Sequence, residues 1–284
     1  MVLSKMTLIA DSGSTKTTWM VAETGNKIVT EGLNPHFTSN ELFLTACETV
    51  VKDLTTETAP KSLFFYGAGC GNKEQSGRVK QLLATAFGID DVHVETDMLG
   101  ACRAVCGNHD GLVGILGTGS NACYYDGKEI ALRCPSTGYI LGDEGSANHV
   151  GRRLLQDYLT GNMPRNMATR FHEAYPMTHD EFMDAVYHQP NPNRFLASLA
   201  QFALKNINDD YCSSEILVSL YDWYNYQLDN VCTLSRCREL NLVGGFAARI
   251  KPLIEVIAND HGLTIKNVVA DPIEGLTAYH ASFA

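Results

Sequence analysis

No apolar stretch in this chain reaches the roughly 20 residues that a membrane-spanning helix needs, so no transmembrane segment and no membrane partner are expected. Basic residues are scarce: 22 Lys+Arg against 32 Asp+Glu leave a formal net charge of -10. That balance argues against binding nucleic acid through its phosphate backbone, or an anionic bilayer. It leaves room for a phosphorylated ligand in a local, amide-lined pocket. Neither Gly-x-x-x-x-Gly-Lys-Ser/Thr nor a strand-to-helix Gly-x-Gly-x-x-Gly occurs, which excludes Walker-type and dinucleotide-binding loops. The nine cysteines contain no Cys-x-x-Cys pair. Cys102 and Cys106 are one helical turn apart, as roughly are Cys232 and Cys237, and no cluster framework is visible. An odd, scattered set of this kind reads as buried thiols in a reducing cytoplasm. Residues 1–7 include a lysine and no long apolar core, so no signal peptide is expected.

What is present is globular. The 284 residues, 45% hydrophobic and 19% charged, suffice for two domains with substantial cores. The organising stretch is Leu8-Ile9-Ala10-Asp11-Ser12-Gly13-Ser14-Thr15-Lys16-Thr17-Thr18. It predicts a β-hairpin whose tip can grip phosphate. Gly13 lets the backbone approach closely, while Ser12, Ser14 and Thr15 add hydroxyl and N–H donors. Asp11 ends the buried strand, where one carboxylate can hold a hydrated Mg²⁺. An ordinary hairpin with an Asp in its turn has the same local sequence. The pattern returns at Leu112-Val113-Gly114-Ile115-Leu116-Gly117-Thr118-Gly119-Ser120-Asn121, followed by strand-like Cys123-Tyr124-Tyr125. Two such turns about a hundred residues apart suit two related domains.

Between and after the turns, strands are expected at 27–31, 62–66, 92–95, 128–132 and 240–243. Helices are expected from Ser39 to about Leu54, with Leu42, Phe43, Ala46 and Val50 on one face, and over 74–87, 101 onwards and 147–159. Residues 163–237 read as mostly helical, and Tyr221, Trp223, Tyr224 and Tyr226 as core and interface. One helix is expected from Gly244-Gly245, carrying Ile250, Leu253, Ile254 and Ile257, and a last one from about Glu274. Asn34, in Gly32-Leu33-Asn34-Pro35-His36, offers donors and acceptors to a polyol, or simply caps a turn. Asp97 stands at a strand end and a helix start, as a helix cap or as a general base. Gly142-Asp143-Glu144-Gly145-Ser146-Ala147 sets two carboxylates before a helix, as an acidic cap or as a clamp on ligand hydroxyls. Gly244-Gly245 closes a strand-to-helix turn, with an adenosine seat as its functional reading.

The order of these features resembles the actin-like ATPase superfamily, which includes the sugar kinases. More closely, Gly-Thr-Gly-Ser-Asn at 117–121, Gly-Asp-Glu-Gly-Ser-Ala at 142–147 and Asp-Pro-Ile-Glu-Gly at 271–275 look like the N-acetylglucosamine kinase group of the BadF/BadG/BcrA/BcrD ATPase family. That resemblance implies an α/β fold of two RNase H-like domains with a nucleotide cleft between them. The first would take residues 1–107 plus a returning helix at 272–284, and the second 108–271 with a helical insertion. It implies a cytoplasmic ATP- and Mg²⁺-dependent kinase acting on the 6-hydroxyl of an amino sugar, N-acetylglucosamine foremost. Asp97 would be the catalytic base and Asp11 the metal ligand. Gly13, Ser14, Thr15 and Lys16, with Gly117 and Thr118, would hold the phosphates, and Gly244, Gly245 and Phe246 the adenosine. Asn34, Gly119, Ser120, Asp143 and Glu144 would bind the sugar. A homodimer is usual in such relatives. The sugar stays open among N-acetylglucosamine, glucosamine, N-acetylmuramic acid and glucose. Two rival readings are an ATP-driven activator of a CoA-ester reductase or dehydratase with an iron–sulfur cluster, and a noncatalytic sugar sensor of the same fold.

Overall fold

Leu8, Ile9 and Ala10 form the middle of a five-stranded sheet in the computed structural model, which describes residues 6–54 and 60–282. The signal-peptide reading concerns residues 1–7, of which 1–5 lie outside the described residues. β1 (Thr7–Ser12), β2 (Lys16–Val21) and β3 (Lys27–Glu31) make an antiparallel meander. α1 (Asn40–Asp53) then leads to β4 (Ser62–Gly67), and α2 (Lys73–Phe87) leads to β5 (Val92–Thr96). β4 pairs parallel with β1, and β5 parallel with β4, giving the order β3-β2-β1-β4-β5. α3 (Asp97–Cys106) follows directly. Because successive side chains on a strand point to opposite faces, Leu8 and Ala10 pack with Trp19, Phe43, Phe65 and Leu83. Ile9 packs on the other face with Met20 and Tyr66. A strand covered on both faces has to be apolar nearly throughout, and β1 is, up to Asp11.

The second sheet repeats the plan. β6 (Gly111–Leu116), β7 (Ser120–Tyr125) and β8 (Ile130–Arg133) form the meander. A helical stretch follows, comprising α4 (Gly138–Leu141), α5 (Ala147–Thr160), α6 (Arg165–Ala174), α7 (His179–Tyr187), α8 (Pro192–Lys205) and α9 (Asp210–Trp223). A π-helical turn (Tyr224–Leu228) joins α9 to α10 (Asp229–Ser235). β9 (Glu239–Val243), α11 (Gly245–Arg249), α12 (Lys251–Asp260) and β10 (Thr264–Val269) complete the order β10-β9-β6-β7-β8. The chain ends in α13 (Ile273–Ala281), whose Ile273 and Leu276 join the Ile9, Met20 and Tyr66 cluster. The molecule thus parts into unit 1, Met1–His109 with Asp271–Ala284, and unit 2, Asp110–Ala270. The two five-stranded α/β sheets are those of a two-domain actin-like ATPase fold.

Four details depart from the sequence reading, each for a local reason. Leu42 is 61% exposed, because the inner stripe of α1 is Phe43, Cys47 and Val50. β8 begins at Ile130, since the Asp126 carboxylate accepts the N–H groups of Lys128 and Glu129 and turns them out of the ladder. The helix after Gly244 breaks at Ile250, where Pro252, placed in the first turn of α12, cannot continue a preceding helix. Tyr226 is exposed, while Trp223 and Tyr224 are buried as expected.

Candidate active site

In unit 1 the parallel strands carry their polar residues to one edge. Ser12, Gly67 and Thr96 are neighbours in the register of β1, β4 and β5, so Asp11 and Asp97 stand at the same carboxyl-terminal edge of the sheet. That edge is where open α/β sheets bind ligands. The capping role open to Asp97 belongs instead to Thr96, whose Oγ1 accepts the Leu99 N–H at 3.2 Å. Asp97 Oδ1 accepts the N–H of Met98 at 2.9 Å. Asp11 is held in the field of two other carboxylates. Burial, then Asp271, then Asp97 push its pKa up to about 8, with Lys16 working the other way. Asp271 gathers the neighbouring donors: Lys16 Nζ donates at 2.6 Å and the Thr18 hydroxyl at 3.1 Å, and the Lys27 ammonium lies 3.8 Å away. Burial opposes ionisation of Asp271, but Lys16 and the Ile273 N–H outweigh it and hold the carboxyl below the usual range. Lys16, expected at the phosphates, is therefore committed to Asp271 in this structure.

The first turn has less to give than its sequence suggests. Gly13 N–H closes the turn on Lys16 O at 3.0 Å. Ser12 Oγ is buried against Thr17 Oγ1 at 2.7 Å and accepts the Leu33 N–H, so the donor role foreseen for Ser12 falls away. Ser14 and Thr15 stay at the surface of the tip. The nearest atom to a Cβ at Gly13 would be Lys16 O at 3.9 Å, so nothing within the fold demands glycine there. Asn34 is 7% exposed and behaves as a turn residue, its Oδ1 accepting the His36 N–H at 3.0 Å. Gly69, at φ +83°, brings the backbone after β4 so near that a Cβ would lie 2.4 Å from Asn34 Oδ1. Gly69 therefore leaves room for Asn34.

In unit 2 the second turn is built into the start of α5. Ala147 N–H donates to Gly117 O at 2.9 Å, and Asn148 N–H to Thr118 O at 3.1 Å. Asn148 Nδ2 bridges Thr118 O at 2.7 Å and Asp143 Oδ2 at 2.8 Å. Asp143 takes up a left-handed backbone, φ 58°, and its Oδ1 also accepts the Ser120 N–H at 3.2 Å. A Cβ at Gly119 would meet Asp143 Oδ2 at 2.8 Å, so any side chain there would displace the Asp143 carboxylate. Burial raises the pKa of Asp143 against its hydrogen bonds. Gln227, from the π-helical turn, donates through Nε2 to Ser120 Oγ at 2.9 Å and to Glu144 Oε2 at 2.7 Å. So Gly117 through Ser120, Asp143 and Glu144 are brought together, and Ser120, Asp143 and Glu144 line a cavity of about 470 Å³. His149, Arg152, Asp222 and Gln227 add to its polar wall.

The Gly-Gly turn divides its duties. Gly244, at φ +132°, lies so close to β6 that a Cβ would sit 2.2 Å from Leu116 O, whereas Gly245 has nothing within 4 Å. Phe246 is 6% exposed and packs in the unit 2 core.

The chain is 33% identical to a candidate N-acetylglucosamine kinase from Porphyromonas gingivalis, over 98% of this chain and 99% of that one, with a TM-score of 0.91. The chain belongs to that protein's family, the actin-like sugar kinases. A candidate N-acetylglucosamine kinase from Chromobacterium violaceum shares the fold at 17% identity and TM-score 0.75, over 97% and 98% of the two chains. So does a ROK family glucokinase from Streptomyces griseus in complex with glucose and AMPPNP, at 14% identity and TM-score 0.59, over 98% and 99%. No family model and no curated protein matches the chain.

His149, Asn148, Arg152, Ser219 and Gln227 join the residues of this site although the sequence does not single them out. His149 and Asn148 directly follow Asp143-Glu144-Gly145-Ser146-Ala147, so helical spacing from that motif could have flagged them. Ser219 and Gln227 come from distant helices, and no local signal marks either. Among the described residues no three His, Cys, Asp or Glu lie close enough to cage a metal ion. Asp11 nonetheless fits Mg²⁺, which is held by one or two carboxylates together with phosphates and water. Burial and the neighbouring Asp271 and Asp97 raise its pKa more than Lys16 lowers it, so an added cation would favour the ionised carboxylate.

Proposed function

We propose that this sugar kinase transfers the γ-phosphoryl group of ATP to the 6-hydroxyl of an amino sugar, N-acetylglucosamine foremost. The observation that carries the reading is the placing of Asp11 and Asp97 at one sheet edge, in each other's field. Phosphoryl transfer is catalysed chiefly by positioning and charge stabilisation, and it needs one group to take the proton of the attacking hydroxyl. Asp97 takes that proton. Asp11 would hold Mg²⁺ through water, and the ion would supply positive charge against the phosphates. Ser14 and Thr15, at the tip of the first turn, and Gly117 and Thr118, in the second, donate to the phosphates. Lys16 serves first to keep Asp271 paired. Gly245 gives the adenosine its space, with Gly244 shaping the turn. Asn34, Gly119, Ser120, Asp143 and Glu144 hold the remaining sugar groups.

The motif Gly142-Asp143-Glu144-Gly145-Ser146-Ala147 supports placing the chain in the BadF/BadG/BcrA/BcrD branch. The test is ATP consumption against a panel of amino sugars and hexoses, for the natural chain and for Asp97→Asn. Removing a general base costs about 10²–10⁴ in rate, so kcat falls by that order while sugar affinity holds. Near-natural turnover by Asp97→Asn refutes the role of Asp97. A natural chain that phosphorylates no sugar refutes the kinase reading and favours the sensor. A brown, iron-bearing preparation would favour the activator.

A further inference from the structure

The cavity in unit 2 holds one imidazole for which the proposed transfer gives no task. His149 is 6% exposed and lines the cavity beside Asp143 and Glu144. Its Nδ1 lies 2.7 Å from Ser219 Oγ. That hydroxyl already accepts the Gly145 N–H at 3.0 Å, and among the described residues its own proton finds its acceptor in His149 Nδ1. Gly145 N–H, Ser219 O–H and His149 Nδ1 therefore form a directed chain, and a neutral imidazole that accepts at Nδ1 must carry its proton at Nε2. No described residue pairs with Nε2, which belongs to a side chain lining the cavity.

We infer that His149 is a specificity residue of this site, donating from Nε2 to a neutral acceptor oxygen of the sugar, the carbonyl of an acetamido group, and disfavouring a free ammonium there. The inference rests on the sugar-kinase reading and adds to it the residue that reads the amino substituent. Burial, with Arg152 and Arg153 nearby, lowers the pKa of His149 to about 4, so the ring stays neutral and its donor stays fixed across the physiological range. Ammonium groups have only donors, and an N–H facing them offers no bond. Cys134, Pro135 and Leu141 supply an apolar stretch of the same wall for a methyl group. The carboxylates Asp143, Glu144 and Asp222 take hydroxyl hydrogens from the rest of the sugar. Gln227 is delivered by a π-helical turn, a feature that recurs at functional sites.

The experiment compares kcat/KM for N-acetylglucosamine and glucosamine in the full chain and in His149→Leu and His149→Gln. Gln sets an amide N–H₂ near the position of Nε2. His149→Leu should lower kcat/KM for the acetylated sugar by about tenfold, the worth of one neutral hydrogen bond, with glucosamine and the KM for ATP unchanged. His149→Gln should keep most of the preference. Equal losses for both sugars in His149→Leu, or an unchanged preference, overturn the inference and leave the kinase reading standing. A natural chain that uses no sugar overturns both. A second measurement does not depend on a variant folding: ¹⁵N NMR of histidine-labelled natural protein at neutral pH. Nδ1 of His149 should be unprotonated, and its Nε2 resonance should shift on adding N-acetylglucosamine without ATP. The opposite tautomer, or no shift with a sugar that is turned over, sinks the assignment.

Discussion

Asp11 shows how one carboxylate can couple stability, pH and metal. Its pKa rises from 3.8 to about 8 through burial, Asp271 and Asp97. Between those values the folded chain holds a proton there that the unfolded chain has released. Stability then falls as pH rises through the window, because the native state binds the more protons. Metal-free protein should lose thermal stability from pH 5 to pH 8, and Asp11→Asn should flatten that slope. Mg²⁺ with nucleotide should raise the melting temperature more at pH 8 than at pH 6, since the ion competes with the proton. A slope equal in Asp11→Asn and natural protein would show that the titration belongs to another group.

At the scale of elements, the turn between β9 and α11 separates a glycine the fold requires from one it does not. Gly244→Ala drives a Cβ into Leu116 O at φ +132°, so its melting temperature should fall markedly. Gly245→Val meets nothing in the fold, so it should melt close to the natural chain while raising the KM for ATP more than that for sugar. Equal effects on both KM values would make the turn purely structural. This distinction was illegible in Gly244-Gly245 as letters, because it depends on the backbone distance to a strand far away in sequence. The hairpins, β3, α1 and α2 were legible, since alternation, Ser39 and the apolar stripes are local. The pairing of Lys16 with Asp271 was not, because 255 residues separate them. Gln227 was hidden likewise: the π-helical turn that brings it to Glu144 leaves no periodicity of its own.

For the whole molecule, the decisive element is α13. Ile273 and Leu276 complete the core around Ile9, and Gly275 packs so closely on α3 that a Cβ would stand 2.3 Å from Ala104 O. Gly275→Val should therefore destabilise unit 1, with a fall in melting temperature and early hydrogen exchange in β1 and β4, while unit 2 amides stay protected. Uniform loss of protection across both units would show that they unfold as one.

That discontinuity governs how the chain is made. Domains fold as units while synthesis proceeds. Unit 2 is one continuous segment and can reach its final form as soon as β10 has cleared the ribosome. Unit 1 is split: most of it precedes unit 2 in the chain, and its α13 follows. Until α13 emerges, Ile9, Met20 and Tyr66 present a bare apolar face, and Lys16 and Thr18 await Asp271. A nascent chain halted after Ala270 would carry a protease-resistant second half behind a cleavable first, so the last helix sets the moment at which the carboxylate edge of Asp11 and Asp97 is complete.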